Sequence, residues 1–254
     1  MIFAYPRQNF TIKKRFRFFR KAKTIHDIDS PFVYDFCKYI VEDKRNFYIF
    51  PLGQLLYQEA RSSGRKAYSI PPLTGKRLFR AVHHFKPDIA LEIGAGDGLS
   101  TIYQATAMLS GDLFSLEAQE EQAAVAKKQI EELGLPNVAL QQGEILSLLS
   151  WIIPDIQQVD FLFVSIQYPA DQQMQLIEKL RPVINEKTVV VLEGIYHSPK
   201  RLSIWEELKK QAQTRLSIDL FDLGFLFFDS TLGPKRDYCL VSARQKPWRL
   251  GVFR

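Results

Sequence analysis

The stretch Ile89-Ala90-Leu91-Glu92-Ile93 runs straight into Gly94-Ala95-Gly96-Asp97-Gly98, and a helical pattern begins at once with Leu99 and Ser100. Glycine at every second position lets the chain turn sharply and lets a ligand approach bare backbone. The helix that follows starts with N–H groups that have no partner within the helix. A strand, a Gly-rich turn and a helix in direct succession commit this stretch to a strand-turn-helix unit. A turn that merely needs glycine would look the same, so the flanking residues must decide what the unit is for.

The rest of the chain repeats the alternation. Strands are predicted at 89–93, 113–116, 138–141, 159–164 and 189–192, and helices at 76–85, 100–109, 119–133, 170–180 and 202–212. Gly134 supplies the left-handed stop after the third of these helices. Strands alternating with helices imply right-handed crossovers and a mostly parallel sheet. The tail breaks the rule: 216–221 and 225–228 read as strands joined by the turn Asp222-Leu223-Gly224, an antiparallel hairpin. Residues 1–74 read as a helical cap, with Pro31 behind Ser30 as a helix start and 68–74, containing Pro71 and Pro72, as a loop. Two parts are therefore expected, a cap at 1–74 and a Rossmann-like domain at 75–254.

Acidic residues sharpen the Gly-rich loop. Glu117 ends the second strand, where a carboxylate can accept from both hydroxyls of an adenine nucleoside's ribose. Glu92 lies two residues before the first glycine; it would repel a diphosphate and attract a cationic ligand end. Gly143-Glu144 ends the third strand, where the acid could meet an adenine amino group or simply start a helix.

From about residue 75 to 228 the chain resembles class I S-adenosylmethionine-dependent methyltransferases. In these a glutamate before G-x-G-x-G ends the first strand, an acid ends the second, and the last two strands form an antiparallel hairpin. The N-terminal helical segment and the ends of the fourth and fifth strands look most like the catechol O-methyltransferase-like branch. The resemblance implies a seven-stranded, mostly parallel Rossmann-like sheet and S-adenosyl-L-methionine as cofactor. Glu92, Gly94, Ala95, Gly96, Gly98, Ser100, Glu117, Ala118, Gly143, Glu144 and Ser165 would hold it. That branch commonly holds a divalent ion with an aspartate after the fourth strand and an acidic pair after the fifth. Here Ser165 and Glu193-Gly194 stand at those places, so too few oxygen ligands remain and no catalytic metal is expected.

Near the expected acceptor mouth stand Tyr168, Glu193, Tyr196 and His197. Glu193, His197 and Tyr168 are the candidate catalytic residues; His197 suits proton removal near neutrality but also suits capping the helix after Pro199. His83-His84 reads as ordinary packing at a helix end. No Asn/Asp-Pro-Pro-aromatic stretch follows the fourth strand, and neither Cys37 nor Cys239 lies by a predicted strand end, which counts against base-amino and cytosine-C5 methylation. A small molecule methylated at oxygen is the expected acceptor. The alternatives are a degenerate binding protein without transfer, a nicotinamide-dependent oxidoreductase, which Glu92 and the hairpin oppose, and an RNA methyltransferase.

Charge bears on that last alternative. The 254 residues carry a net charge of +6, yet eight of the 34 Lys and Arg fall within residues 1–26, which hold no acid. The remainder has 26 basic against 28 acidic residues, so the body is not a basic nucleic-acid surface. The arm at 7–23 interleaves Lys and Arg with Phe10, Phe16, Phe18 and Phe19; as a helix, Ile12, Phe16 and Phe19 would share one side. It could dock on the body or form a homodimer, meet phosphates of RNA, or lie on an anionic membrane. Two isolated cysteines, no apolar run long enough to span a bilayer and no visible signal peptide suit the cytoplasm.

Overall fold

The computed structural model describes residues 8–63 and 68–246, with side chains from residue 14 onward. Arg7, and the side chains of Phe10, Ile12 and Lys13, lie outside the described residues. Its centre is an eight-stranded sheet in the order β3-β2-β1-β4-β5-β7-β6-β8. The strands are β1 (Ile89–Ile93), β2 (Asp112–Glu117), β3 (Val138–Gln142), β4 (Phe161–Val164), β5 (Val189–Glu193), β6 (Leu216–Asp219), β7 (Leu223–Phe227) and β8 (Arg236–Cys239). β1 to β5 pair in parallel and β7 runs antiparallel between β5 and β6.

The helices are α1 (Gln8–Lys21), α2 (Pro31–Phe36), α3 (Ile49–Ser62), α4 (Pro72–Phe85), α5 (Leu99–Ala107), α6 (Glu120–Glu132), α7 (Ile145–Ile152), α8 (Gln173–Leu180) and α9 (Pro199–Lys210). Side chains of a strand alternate between faces, and here the two faces build two cores. Ala90, Phe161, Phe163, Val191, Ile218 and Phe225 pack with residues of α2, α3, α4 and α5. Leu91, Ile93, Leu162, Val190, Leu192 and Leu226 pack with α7, α8 and α9.

The α/β class, the parallel sheet and the antiparallel hairpin are as the sequence suggests; three details differ. The sheet has an eighth strand, because β8 adds in parallel along β6. Its segment, Arg236-Asp237-Tyr238-Cys239, buries only Tyr238 fully and so lacks an apolar run. The hairpin turn, at 220–222, lies two residues earlier than the Asp222-Leu223-Gly224 expected. Leu220 N–H donates to the Leu223 carbonyl at 2.9 Å, and Phe221 takes the left-handed φ of 75° that a tight turn needs. Pro72 is not in a loop: it opens α4, where a missing N–H costs nothing. The expected boundary between 74 and 75 consequently falls inside α4, and Val33, Phe36, Ile40, Ile49 and Phe50 of the cap enter the core beneath the sheet.

The arm also docks differently from the expected face. Phe18, not Phe16, is buried, against Phe221 and Tyr196 at ring distances of 5.4 and 6.2 Å, while Phe16 is 72% exposed. Beyond α1 the chain runs beside β8: Lys23 N–H donates to the Cys239 carbonyl at 2.7 Å and Val241 N–H to the Lys23 carbonyl at 3.0 Å. No helix among the described residues is long and apolar enough to cross a membrane.

Candidate active site

In an open parallel sheet, ligands bind outside the carboxyl ends of the strands, where neighbouring connections leave in opposite directions. Here that point lies between β1 and β4, and Gly94–Gly98 forms the crevice wall. Gly94, Gly96 and Gly98 have φ of 86°, 58° and 90°, all left-handed. A Cβ on Gly96 would lie 2.6 Å from the Tyr68 carbonyl oxygen, and one on Gly98 2.8 Å from Ala126 Cα. The loop is therefore glycine-bound both by backbone conformation and by close packing.

One carboxylate holds the loop and another the helix that follows it. Glu117 accepts from the Gly96 N–H at 2.7 Å and the Gln119 N–H at 2.9 Å, one on each oxygen. Gly94 and Ala95 donate to the Leu116 carbonyl, Gly143 N–H donates to the Glu117 carbonyl, and the Ala118 carbonyl accepts from Gln142. Glu92 is fully buried on the α5 face of β1. It accepts from Ser100 Oγ at 2.6 Å, Thr101 Oγ1 at 2.5 Å, Ser115 Oγ at 2.6 Å and Gln104 Nε2 at 2.9 Å. Burial pushes its carboxyl up to about 7, and the three hydroxyl donors pull against that shift.

The sequence reading aimed Glu92 at a cationic ligand end; in the structure its charge is spent on four internal donors, because α5 brings a hydroxyl-rich first turn over it. Ser100 is one of those donors. Thr101, Gln104 and Ser115 went unread, although their spacing on one helical face and one strand face was visible in the sequence. Glu144 is at the surface. Its two oxygens accept from Leu146 and Ser147 N–H at 3.0 and 2.6 Å, capping α7, and these bonds hold its carboxyl below the usual range.

The opposite bank is built from β4 and β5. Gly94 and the β4 loop abut: a Cβ on Gly94 would lie 3.3 Å from Tyr168 N and 3.4 Å from Ser165 Cβ. Ser165 Oγ donates to Glu193 at 3.2 Å, and the same oxygen of Glu193 accepts from Ile166 N–H at 2.9 Å. Burial raises the Glu193 carboxyl; these bonds and Arg201 pull it down. Arg201, a residue the sequence reading missed, is buried and donates to the carbonyls of Ile166 and Tyr168 at 2.7 and 2.5 Å. It thereby ties α9 to the loop that faces Gly94. Among the described residues no three His, Cys, Asp or Glu side chains are grouped as a metal cage.

The other candidates sit around this bank. His197 N–H donates to the Gly194 carbonyl at 2.8 Å, and burial, then Arg201, lowers its imidazole. Tyr168 is buried, its hydroxyl has no hydrogen-bond partner among the described residues, and burial pushes that hydroxyl up to about 12. Tyr196 donates to Asp219 at 2.6 Å and stacks on Phe221 at 4.8 Å. Burial raises the Tyr196 hydroxyl, and it lifts Asp219 to about 6. Arg77, also unread in the sequence, crosses from α4 to the Leu220 carbonyl and Asp222 at 3.3 Å each.

The strand order, the hairpin and the glycine crevice define a methyltransferase-type Rossmann-like fold. Residues 86–170, spanning β1 to β4, match the model of a methyltransferase family described as "Putative methyltransferase". The chain is 31% identical over 110 residues to a catechol O-methyltransferase of Niastella koreensis, covering 42% of this chain and 50% of that one. It thus spans about half the length of this curated relative. An O-methyltransferase from Bacillus cereus, solved in complex with S-adenosylhomocysteine, superposes with a TM-score of 0.59 at 20% identity, covering 72% of this chain and 92% of that one. The O-methyltransferase TomG from Streptomyces achromogenes, involved in tomaymycin synthesis and solved with S-adenosylmethionine, gives 0.59 at 17% identity, covering 77% and 94%. These matches support the class I S-adenosylmethionine-dependent methyltransferase resemblance, and the fold is the one the solved structures share.

Proposed function

We propose that the chain is an S-adenosylmethionine-dependent methyltransferase of the cytoplasm that acts on a small molecule at oxygen, without a catalytic metal. The observation that carries this reading is the left-handed Gly94–Gly98 turn with the Glu117 carboxylate hydrogen-bonded to its middle glycine.

The residues present fit the cofactor. Each Glu117 oxygen takes one backbone N–H and keeps a lone pair, which suits two ribose hydroxyls. The bare glycines suit close passage of the methionyl chain. When bound, the cofactor supplies a methyl group on an already activated sulfonium, so the protein's task is chiefly alignment. The chain's own residues then divide the work. Arg201 holds the β4 loop against Gly94, Ser165 and Ile166 fix Glu193, and the His197 imidazole, lowered by burial and by Arg201, is the group proposed to accept a proton from the acceptor hydroxyl. Support for an oxygen acceptor comes from the activities named for the matched relatives.

Calorimetric titration with S-adenosylhomocysteine tests the reading. Saturable binding by the wild type that Glu117→Ala weakens by about tenfold or more is the expected result. A wild-type chain that takes up no S-adenosylhomocysteine would end it.

A further inference from the structure

The end of α4 that points away from the glycine crevice borders a second cavity, of about 280 Å³, lined by Tyr39, Asp43, Arg45, Arg80, His83, His84 and Lys86. α4 runs from Pro72 to Phe85 and ends just before β1 begins, so this cavity lies towards the amino ends of the parallel strands, away from the crevice at their carboxyl ends. Its charge is unbalanced. Three permanent cations, Arg45, Arg80 and Lys86, face one lining acid, which leaves two positive charges before either imidazole is counted.

That acid is already engaged. Arg45 Nε lies 3.1 and 3.0 Å from the two Asp43 oxygens, and its Nη2 lies 2.9 Å from one of them. Arg80 is left with less. Its side chain is only 11% exposed, its Nε lies 3.8 Å from Asp43, and that buried Nε has no hydrogen-bond partner among the described residues. Its remaining polar contact is a 3.4 Å bond from Nη2 to the Arg45 carbonyl, and its guanidinium lies over the Phe50 ring at 5.2 Å. A partly desolvated cation held only by long contacts, with its Nε unmatched, is costly, and a bound anion would reduce that cost.

Basic residues at a helix C-terminus also complement the helix dipole, which accounts for His83, His84 and Lys86. It does not account for Arg45, which reaches in from another segment, or for Arg80, whose buried Nε has no hydrogen-bond partner among the described residues. The imidazoles are built into the walls: His84 stacks on Tyr39 at 5.4 Å, and His83 packs between Phe79 and Phe47. Asp35 acts on His84 from α2 but does not line the cavity.

We infer that this cavity binds the phosphate group of a small soluble ligand. A guanidinium fork, an ammonium and imidazole N–H groups converging on one cavity match a tetrahedral dianion in charge and geometry. The site lies outside the cofactor crevice and does not depend on the methyltransferase reading.

The probes are inorganic phosphate and pyrophosphate, titrated calorimetrically into the full chain at low ionic strength. Saturable binding is expected, weakened about tenfold or more by Arg80→Gln, which removes the cation and its charge-assisted hydrogen bonds to the anion. Lys86→Glu, at an exposed position at the end of α4, provides a second reading and is expected to weaken binding similarly, its folding checked by circular dichroism. S-adenosylhomocysteine titrations should be the same for the wild type and Lys86→Glu. No saturable uptake of either probe by the wild type would overturn the assignment, as would unchanged affinity in Lys86→Glu. Sedimentation with phosphatidate vesicles by a chain that ignores pyrophosphate would replace the soluble ligand with a lipid headgroup and overturn it too.

Discussion

The two banks of the crevice treat their carboxylates in opposite ways. On the β1–β2 bank, Glu92 and Glu117 are held by neutral donors, hydroxyls, an amide and backbone N–H groups, within hydrogen-bond distance. On the β4–β5–β6 bank, Glu193, Asp222 and Asp219 sit among arginines and tyrosine, namely Arg201, Arg77 and Tyr196. The first bank ties its carboxylates to the loop, to α5 and to β2 through neutral donors. The second ties its acids to cationic and phenolic side chains that reach in from α4, from α9 and from the connection after β5.

Substitution can break this contrast, and the largest effect should come from Glu92. Glu92→Ala strands four buried donors and is expected to cost about 4 kcal/mol in urea unfolding, at roughly 1 kcal/mol or more per donor. Glu92→Gln sharpens the point through pH. The buried carboxyl titrates at about 7, against 4.5 for an ordinary one. The folded state thus holds a proton that the unfolded state has released, so this group's contribution is present below 4.5 and is lost as pH rises through about 7. Wild-type stability should fall across that window and the fall should shrink in Glu92→Gln. A slope unchanged by the substitution would assign it to another group, Asp219 first, since its carboxyl is also raised.

Gly96→Ala should come next. It forces a φ of 58° on a residue with a Cβ and drives that Cβ onto the Tyr68 carbonyl. A loss of about 2 kcal/mol is expected in thermal unfolding, with S-adenosylhomocysteine affinity falling by about tenfold or more. On the other bank, Arg201→Met removes two bonds to loop carbonyls and should cost about 2 kcal/mol. Its distinguishing readout is the Glu193 carboxyl, which should titrate higher by NMR once the neighbouring cation is gone. Glu144→Gln, at an exposed helix start, should lower the melting temperature slightly and leave cofactor affinity untouched. A large loss of affinity would return Glu144 to the site that the sequence reading gave it.

Much of this was legible because it depends on local pattern. The glycine loop, β1 and the alternation of strands and helices follow from periodicity and from residues that punctuate the chain. The partners of Glu92 were not legible, since they come from both α5 and β2 and meet only when those elements pack. Arg201 and Arg77 were hidden for a related reason. An arginine in the first turns of an amphipathic helix looks like a solvated charge until the loop carbonyls it reaches are known. β8 was missed because it presents one buried side chain and is held by its neighbour rather than by its own composition.

The pairing of Lys23 with the end of β8 joins positions 217 residues apart, Lys23 and Leu240. During synthesis the basic, phenylalanine-bearing helix α1 emerges long before its resting place is complete. Beyond Phe19 of its own helix, the rings that Phe18 meets among the described residues are Tyr196 and Phe221, which leave the ribosome much later, and the edge beside residue 23 does not exist until residue 240 has been made. Until then the nascent chain carries a cationic, aromatic segment without the partners that cover it in the fold. That interval sets a window in which a chaperone, or the ribosome's own acidic surface, would find it.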